Sequence, residues 1–242
     1  MKFEITIPVL NEEQTLERQV LKLHAFLLEH YPNTQNWKIV IADNGSTDRT
    51  RAIAMDLCAK NPQILLVKVP ARGVGLALKA SWDAAQAEVV GYMDLDLATD
   101  LSHFPEVLKA FQEKDCDLVY GTRLHPLSKV INRPLKREIA SRGFNFLLRT
   151  YLGVGFSDGM CGFKFLKKSA YQQLFKHGAK NDGWFFSTEL LVVAEWLGLK
   201  VVELPVTWTD DISSSKVKIL PLAKQYLRSM KALKKIKPQR TA

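Results

Sequence analysis

The chain has 242 residues, of which 47% are hydrophobic and 24% are charged, which excludes a disordered chain and indicates a globular one. Its formal net charge of +9 predicts an anionic partner, namely nucleic acid, an acidic membrane surface or a phosphorylated substrate. The three cysteines lie far apart without a CxxC pair, which argues against a disulfide framework or a zinc site and favours a reducing compartment.

The N-terminal stretch MKFEITIPVLNEE does not fit a signal peptide, because Glu4 interrupts the apolar run and further acidic residues follow. No stretch approaches the roughly 20 apolar residues that a membrane-spanning helix needs. We therefore expect a soluble or peripheral protein, built as one domain with a full hydrophobic core.

Short β-branched runs alternate with helical patterns in the first half of the chain. The sequence predicts strands at 3–9, 38–42, 64–69, 88–94 and 117–122. A helix follows the first strand, and we expect Asn11 to cap it, with Gln14 at the capping-box position. The stretch at 71–87 is predicted to run from a glycine turn into a helix, and another helix is predicted near 103–114. This alternation predicts an α/β fold with a parallel, doubly wound sheet.

The pattern changes after residue 123. A basic, proline-broken stretch at 124–137 leads to a helix, REIASRGFNFLLRTYL, and then to a predicted loop, GVGFSDGMCGFKFL. A helix near 188–197, a strand at 200–206 and an amphipathic basic helix from about Leu222 to Lys235 complete the prediction.

Polar residues follow four of the predicted strands at their carboxyl ends. They are Asn11, Glu12 and Glu13, then Asp43 and Asn44, then Arg72 and Gly73, and finally Asp94 and Asp96. Open α/β sheets bind ligands at the carboxyl ends of their strands, where the connecting loops meet. The sequence therefore predicts a binding site at this edge of the sheet.

Asp94 and Asp96 stand at the exit of the fourth predicted strand. If strand geometry continues through DLDL, both carboxylates share one face, while Leu95 and Leu97 share the other. Two carboxylates held together repel each other unless a cation lies between them, and Mg²⁺ or Mn²⁺ suits such oxygen ligands. The alternative is a solvated turn with Asp100 as a helix cap. Both interpretations stay open on these residues alone.

Several motifs together resemble one family. IPVLNEE, IADNGSTD, RGVGLALKAS and DLDLATD occur in the order and spacing of the family 2 glycosyltransferases with the GT-A fold. In the second half, GTR, KREIASRGFNFLLR, SDGMCGFKFL and VTWTDDISSSKVKI resemble the polyprenyl-phosphate sugar synthases, which include dolichyl-phosphate glucosyltransferases and dolichyl-phosphate mannose synthases. The resemblance implies a Rossmann-like, mostly parallel sheet flanked by helices.

The resemblance also implies a donor site for a nucleotide-sugar. Asp43 would contact the nucleoside, and Asp94 and Asp96 would hold Mg²⁺ or Mn²⁺ on the diphosphate. Ser215 and Lys216 match an element that closes over the diphosphate. The implied donor-binding residues are Pro8, Asn11, Glu12, Asp43, Arg72, Gly75, Asp94, Asp96, Ser215 and Lys216.

For the acceptor, the resemblance implies phosphate binding by Arg123, Arg137 and Ser141, with Asp158 at an acidic position of the acceptor loop. Asp94, Asp96 and Arg123 are the implied catalytic residues. Two positions depart from the family pattern. Ala98 replaces the Gln that mannose synthases commonly carry, which favours the glucosyltransferase branch, and Asn44 stands where a second Asp is usual.

The acceptor's chemistry separates two kinds of transferase. A sugar hydroxyl needs a general base, whereas a lipid monophosphate is already an oxyanion and needs cations and positioning. After the CGF motif the chain offers only Glu189, on an apolar helix face where we expect it to pair structurally. Arginine forks suit phosphate oxygens, although we interpret Arg133 and Arg142 as part of a solvated basic face.

The resemblance therefore implies an inverting, metal-dependent transfer of glucose or mannose from a UDP- or GDP-sugar to a dolichyl or undecaprenyl phosphate. Nucleic acid is not an expected partner. One alternative is a family 2 enzyme that acts on a saccharide hydroxyl, with Glu189 or Asp158 as base. A remoter alternative is a non-catalytic protein that binds nucleotide-sugars.

We predict a GT-A domain at 1–220 and a basic amphipathic tail at 221–242. Within the domain, the resemblance implies a nucleotide-sugar-binding half at 1–122 and an acceptor-binding half at 123–220. The tail carries a stripe of apolar side chains: Leu222, Tyr226, Met230 and Leu233. Such a helix lies on an anionic membrane surface or packs on its own domain. The first alternative implies a cytoplasmic protein, peripheral on the cytoplasmic face of a membrane.

Overall fold

In the computed structural model, which describes residues 1–210 and 219–237 (backbone only at 219–222), seven strands form one sheet. These strands are β1 (Phe3–Val9), β2 (Trp37–Asp43), β3 (Ile64–Lys68), β4 (Val89–Met93), β5 (Leu118–Thr122), β7 (Phe163–Lys167) and β8 (Val201–Pro205). A separate two-stranded sheet pairs β6 (Lys129–Ile131) with β9 (Thr207–Thr209). The structure confirms the prediction of a mostly parallel sheet.

The strand order in the large sheet is β3-β2-β1-β4-β7-β5-β8. All neighbours are parallel except β7, which runs antiparallel to both β4 and β5. The chain builds outward from β1 through β2 to β3 and then returns to place β4 on the other side of β1. Such a reversal leaves a crevice at the carboxyl ends of β1 and β4, which is where open α/β sheets bind ligands.

Helices flank the sheet. They are α1 (Leu16–His30), α2 (Thr50–Lys60), α3 (Val74–Ala84), α4 (Phe104–Glu113), α5 (Leu135–Leu152), α6 (Lys168–Lys176), α7 (Phe186–Trp196) and α8 (Ile219–Lys235). Alternate side chains of β4 pack into two hydrophobic clusters, because successive side chains of a strand point to opposite faces of the sheet. Val89 and Met93 pack into one hydrophobic cluster, and Val90 and Tyr92 into the other.

The predicted loop GVGFSDGMCGFKFL contains a central strand, so that prediction was wrong for its last residues. The backbone of β7 pairs on both sides, with β4 and with β5. Helix α6, which follows it, was not predicted either; it buries Ala170, Tyr171 and Leu174. A five-residue run with Lys164 inside it lacks the pattern of a buried strand, and its position depends on two distant partners.

Helix α8 packs against the domain. Tyr226, Met230 and Leu233 are buried in the cluster that also contains parts of α5 and α7. The ring of Tyr226 contacts those of Phe144 and Phe185, with centroids 5.2 and 5.3 Å away. Three members of the predicted apolar stripe therefore belong to the core. None of the helices within the described ranges is both long and apolar enough to span a bilayer.

Candidate functional site

The loops that follow β1 and β2 are bonded to each other. The Asn11 N–H donates to Ser46 Oγ at 3.0 Å, and Asn11 Oδ1 accepts from the Thr47 N–H at 2.8 Å. The Glu12 N–H donates to Thr50 Oγ1 at 2.7 Å. Both donor-site candidates of the first loop are therefore positioned by the second loop, at the crevice between β1 and β4.

The expected helix cap at Asn11 was wrong. Helix α1 begins at Leu16 after Thr15, and the Asn11 side chain bonds to the neighbouring loop instead. Asn11 has a φ of 55°, in the left-handed region that asparagine tolerates better than most residues. Long-range pairing of two strand-end loops therefore took precedence over local capping.

Asp43 lies fully buried at the end of β2. Its Oδ1 accepts from the Ser46 N–H at 2.9 Å, and its Oδ2 accepts from Arg51 Nε at 2.7 Å. Burial alone would raise the pKa of Asp43, but these hydrogen bonds and the Arg51 charge hold it below its ordinary value. Asp43 is therefore negatively charged, and its carboxylate anchors the loop that follows β2.

A third loop joins through Asn44. Its Oδ1 accepts from the Gly73 N–H at 2.6 Å, which ties the loop after β3 to the end of β2. An asparagine makes this bond without adding a negative charge. Arg72 precedes Gly73 with an exposed side chain, and Pro8 lies half-buried opposite Ala42 in the β1–β2 pairing.

Gly75 is buried against protein. Its N–H donates to the Gly183 carbonyl at 3.2 Å, and a Cβ on Gly75 would overlap the carbonyl oxygen of Asn181. The space beside Gly75, which the resemblance implied as a donor-binding residue, is therefore taken by the loop at 181–183. Glu189 supports the same loop, since its Oε2 accepts from the Asn181 N–H at 2.7 Å.

Asp94 and Asp96 lie in a turn and not in a continued strand. β4 ends at Met93, the Leu97 N–H donates to the Asp94 carbonyl at 3.1 Å, and Leu97 has a φ of 50°. The alternation expected through DLDL was therefore wrong. The turn still places both acidic residues in one pocket, together with Ala98 and Trp208, while Leu95 packs into the core.

The lack of a side chain at Gly162 leaves room for the Asp94 carboxylate. The Asp94 N–H donates to the Gly162 carbonyl at 3.2 Å, and a Cβ on Gly162 would overlap the Asp94 carboxylate. Burial, and then the charge of Asp96, raise the pKa of Asp94 well above its ordinary value, while Lys164 and Arg123 act in the opposite direction. Two carboxylates are thus held where they repel each other.

This arrangement fits a divalent cation. Mg²⁺ commonly takes one or two carboxylates together with substrate phosphates and water. A cation between Asp94 and Asp96 would relieve the repulsion that raises the pKa of Asp94. Within the described ranges no cluster of three or more His, Cys, Asp and Glu side chains forms, and the Ala98 methyl group lines the same pocket.

Asp100 confirms its expected role as a cap. Its side chain accepts from the Ser102 N–H at 2.9 Å, at the start of a short 3₁₀ helix, Leu101–His103, that precedes α4. Asp94 and Asp96 therefore line the pocket, whereas Asp100 caps the short 3₁₀ helix.

Arg123 and Asp158 form a buried, two-pronged ion pair. Arg123 Nε donates to Asp158 Oδ2 at 2.7 Å, and Nη2 donates to Oδ1 at 3.0 Å. Burial alone would raise the pKa of Asp158, but the Arg123 guanidinium outweighs it and lowers the pKa to about 2. Asp158 therefore positions Arg123, and both of its oxygens are occupied.

Helix α5 carries the other two acceptor-site candidates. Arg137 Nη1 donates to both oxygens of Asp210, each at 2.9 Å. Ser141 is buried, and its Oγ has no hydrogen-bond partner among the described residues. Ser215 and Lys216, which were expected to close over the donor, lie outside the described residues.

The interpretation of Arg133 as a solvated residue was wrong, whereas that of Arg142 is confirmed. The side chain of Arg133 is 7% exposed and that of Arg142 is 60% exposed. The Arg133 guanidinium lies over the ring of Trp208, 5.6 Å from its centroid, and that of Arg123 lies 5.2 Å from the same centroid. Trp208 was not predicted as a site residue; its place in the VTWTDD motif was the available signal.

Lys164 was also missed. This fully buried side chain donates to the carbonyl oxygens of Cys161 and Gly159, at 2.5 and 3.2 Å. Burial lowers the pKa of Lys164 to about 8, and its charge interacts with Asp94 and Asp158. Lys164 therefore holds the loop at 159–161, which lies between Asp158 and the strand β7. A lysine inside an apolar strand was the sequence signal for it.

Comparison with known sequences gives consistent matches. The profile of the family described as "Glycosyl transferase family 2" matches residues 4–175. The glycosyltransferase AglD of Haloferax volcanii is 32% identical over 95% of this chain, which spans 37% of AglD. The dolichyl-phosphate beta-glucosyltransferase ALG5C of Trichomonas vaginalis is 31% identical over 90% of this chain, which spans 66% of that relative.

Comparison with solved structures confirms the predicted GT-A fold. Glucosyl-3-phosphoglycerate synthase of Mycobacterium tuberculosis superposes with a TM-score of 0.68 at 19% identity, covering 99% of this chain and 82% of that one. A complex of that enzyme with Mn²⁺, UDP and glucosyl-3-phosphoglycerate gives 0.68 at 20% identity, with coverages of 99% and 81%. TarS of S. aureus, in complex with UDP-GlcNAc, gives 0.62 at 14% identity, with coverages of 96% and 65%.

Proposed function

The chain belongs to glycosyl transferase family 2, and we propose from this that it transfers a hexose from a nucleotide-sugar to a polyprenyl phosphate. The main support for the proposal is that a carboxylate and a guanidinium lie in the same site. The carboxylate of Asp94 and the guanidinium of Arg123 lie close enough to influence each other's pKa. One would serve a metal-bound diphosphate, and the other an anionic acceptor.

The donor side consists of the loops after β1 to β4, which the contacts of Asn11, Asp43 and Asn44 hold together. We assign Asp94 and Asp96 to Mg²⁺ or Mn²⁺. Bound there, the ion would act as a Lewis acid toward the leaving diphosphate. The Mn²⁺ and UDP in the complex of the mycobacterial synthase support a divalent ion, and we propose UDP as the nucleotide.

The two carboxylates that could serve as base in the hydroxyl-directed alternative are both engaged in hydrogen bonds. Both oxygens of Asp158 accept from Arg123, and its pKa is lowered to about 2, so it is a poor proton acceptor near neutral pH. Burial raises the pKa of Glu189 to about 7, but its Oε2 accepts from the Asn181 N–H in the loop at 181–183. This arrangement favours an acceptor that is already an oxyanion over a saccharide hydroxyl.

In the proposed reaction, an acceptor phosphate oxygen attacks the anomeric carbon. The new carbon–oxygen bond forms as the bond to the diphosphate oxygen breaks, and its electron pair leaves with the nucleoside diphosphate. A single in-line displacement inverts the configuration, and no proton has to be moved. Arg123 would orient the acceptor phosphate, because Asp158 holds its guanidinium in one direction.

The names of the relatives support a lipid phosphate and glucose. The proteins from Trichomonas vaginalis and Drosophila melanogaster are named dolichyl-phosphate beta-glucosyltransferases, at 31% and 28% identity. Ala98 points in the same direction, since its methyl group lies in the pocket beside the acidic pair. We therefore propose UDP-glucose and a polyprenyl phosphate as the substrates.

The proposal is tested by incubating the protein with Mn²⁺, labelled UDP-glucose or GDP-mannose, and a polyprenyl phosphate. We expect label in the organic phase, with UDP-glucose preferred. Transfer to a free saccharide without any lipid-linked label would contradict the proposal and favour the hydroxyl-directed alternative. Donor binding without transfer or donor hydrolysis would favour a non-catalytic binding protein.

We further propose that α5, not α8, contacts the membrane from which such an acceptor comes. Leu135, Ile139 and Phe146 lie on one face of α5 and are 72%, 62% and 63% exposed. Exposed basic residues border this face at Lys136, Arg142 and Arg149, which suits an anionic lipid surface. On the buried side of the same helix lies Ser141. The helix therefore separates an apolar surface from the proposed phosphate site.

This membrane contact predicts that Ile139→Glu with Phe146→Glu weakens binding to vesicles that contain anionic lipids. The two glutamates remove apolar area and add negative charge, so we expect the bound fraction to fall about tenfold or more. Sedimentation with vesicles measures it. Met55→Glu, on the exposed face of α2 where Met55 is 53% exposed, is the control. Equal vesicle binding by the double variant and wild type would contradict the proposal.

A further inference from the structure

We propose that Arg133 is an additional phosphate-binding residue, placed beside Arg123 to grip the acceptor's phosphate. The inference rests on the proposed function and adds a residue that neither the family motifs nor the arginine pattern had marked. Its basis is the unusual state of this side chain, which is buried, charged and short of hydrogen bonds.

Burial leaves Arg133 with a donor that has no acceptor. Its side chain is 7% exposed, and Nε has neither a hydrogen-bond nor an ion-pair partner among the described residues. Nη1 forms an ion pair with Glu138 Oε2, 2.9 Å away. A buried donor without an acceptor is costly, and a charged one more so. An arginine that served packing alone would not be expected to retain such a donor.

Among the ion pairs beside α5, arginines outnumber carboxylates. Arg123 is paired with Asp158, and Arg137 with Asp210. Glu138 serves two arginines, because its Oε1 also accepts from Arg142 Nε at 2.5 Å. Four arginines therefore share three carboxylates, and Arg133 Nε has no acceptor among the described residues. A phosphate group would supply a further negative charge and the missing acceptor.

The position of Arg133 matches the proposed acceptor site. Its guanidinium and that of Arg123 lie over the ring of Trp208, 5.6 and 5.2 Å from the centroid. Trp208 lines the pocket that contains Asp94 and Asp96. The charge of Arg123 contributes to lowering the pKa of Arg133, second to burial, so the two cations are neighbours. An anion between them would satisfy both.

The experiment titrates the 242-residue chain with geranyl phosphate, a short polyprenyl monophosphate, and separately with geraniol and UDP, by calorimetry. The variants are Arg133→Gln and Arg133→Lys, with Arg18→Gln, on the exposed face of α1, as the matched control. We expect Arg133→Gln to weaken geranyl phosphate binding about 10- to 100-fold and Arg133→Lys to weaken it less. UDP affinity should be unchanged in all of them, as should geranyl phosphate affinity in Arg18→Gln.

Thermal unfolding separates binding from a structural role. Glu138 keeps Arg142 as a partner when Arg133 is replaced, so the Tm of Arg133→Gln should stay close to that of wild type. Equal geranyl phosphate affinity in Arg133→Gln and wild type would overturn the role of Arg133 while leaving the proposed function intact. A joint fall in Tm and UDP affinity would show a structural residue instead, and Arg133→Lys then repeats the comparison with the charge retained. No binding of geranyl phosphate by wild type would overturn the proposed function itself.

Discussion

The Asp96→Asn variant is expected to lose hexose transfer by about a thousandfold or more while keeping its fold. Asp96 is exposed, so its replacement should leave the hydrophobic core intact. Its Oδ1 accepts from the Ala98 N–H at 3.0 Å, and an asparagine carbonyl oxygen can accept the same bond. The turn should therefore survive, and the change removes chiefly the negative charge proposed to hold the metal on the diphosphate.

Asp100→Asn provides the matched control, because it makes the same chemical change four residues away. Asp100 caps a 3₁₀ helix through the Ser102 N–H, and asparagine caps as well as aspartate. Transfer by Asp100→Asn should stay close to wild type. Activity is measured over a Mn²⁺ titration, with Tm measured in parallel. Full turnover by Asp96→Asn at low Mn²⁺, or an equal loss in both variants, would show that the acidic pair does not hold the metal.

The Asp158→Asn variant is expected to lose stability as well as activity. Asp158 is fully buried and holds Arg123 through both oxygens. Its neutral replacement leaves a buried guanidinium without its counter-charge, a change that costs about 3–5 kcal/mol in the free energy of unfolding. Arg123 would also lose its orientation. Urea unfolding measures the first effect, and lipid-linked label at saturating donor measures the second.

The same ion pair predicts a dependence on pH. The pKa of Asp158 is about 2 in the folded protein, below its ordinary value of 3.8. Its contribution to stability is therefore complete above about pH 4 and is lost as the pH falls toward 2, by roughly 2–3 kcal/mol. Asp158→Asn should flatten that part of the stability curve. Asp56→Asn, on the exposed face of α2, should leave the slope unchanged. A wild-type slope in Asp158→Asn would contradict this account.

Much of the first half of the chain was predictable because its signals are local. The five predicted strands correspond to β1 to β5, since runs such as FEITIPV and WKIVIAD are apolar in the way that buried parallel strands require. The polar residues after them meet at one edge because parallel strands end on the same side. Asp94 and Asp96 were correctly expected to share a pocket, although a turn and not a strand brings them together.

The second half was harder because its structure depends on distant partners. β7 has a buried lysine and gains its place by pairing with β4 and β5. Arg133 looked like surface charge, yet the ring of Trp208 covers it from a strand 75 positions away (208 minus 133). Helices α5 and α8 each carry apolar and basic residues. Packing in the tertiary structure buries the apolar face of α8 and leaves that of α5 exposed.

By itself, the amino-acid sequence determined the family and the alternating α/β architecture, and it marked the acidic pair as a candidate metal site. Periodicity and charged motifs are properties of residues that are close in the sequence, so they can be recognised without knowing the tertiary contacts. Only the tertiary structure decided that Asp158 is committed to Arg123, that Asn11 bonds to the next loop, and that Arg133 is buried. Each of these depends on a partner brought close by the fold, and no local pattern specifies which partner that is.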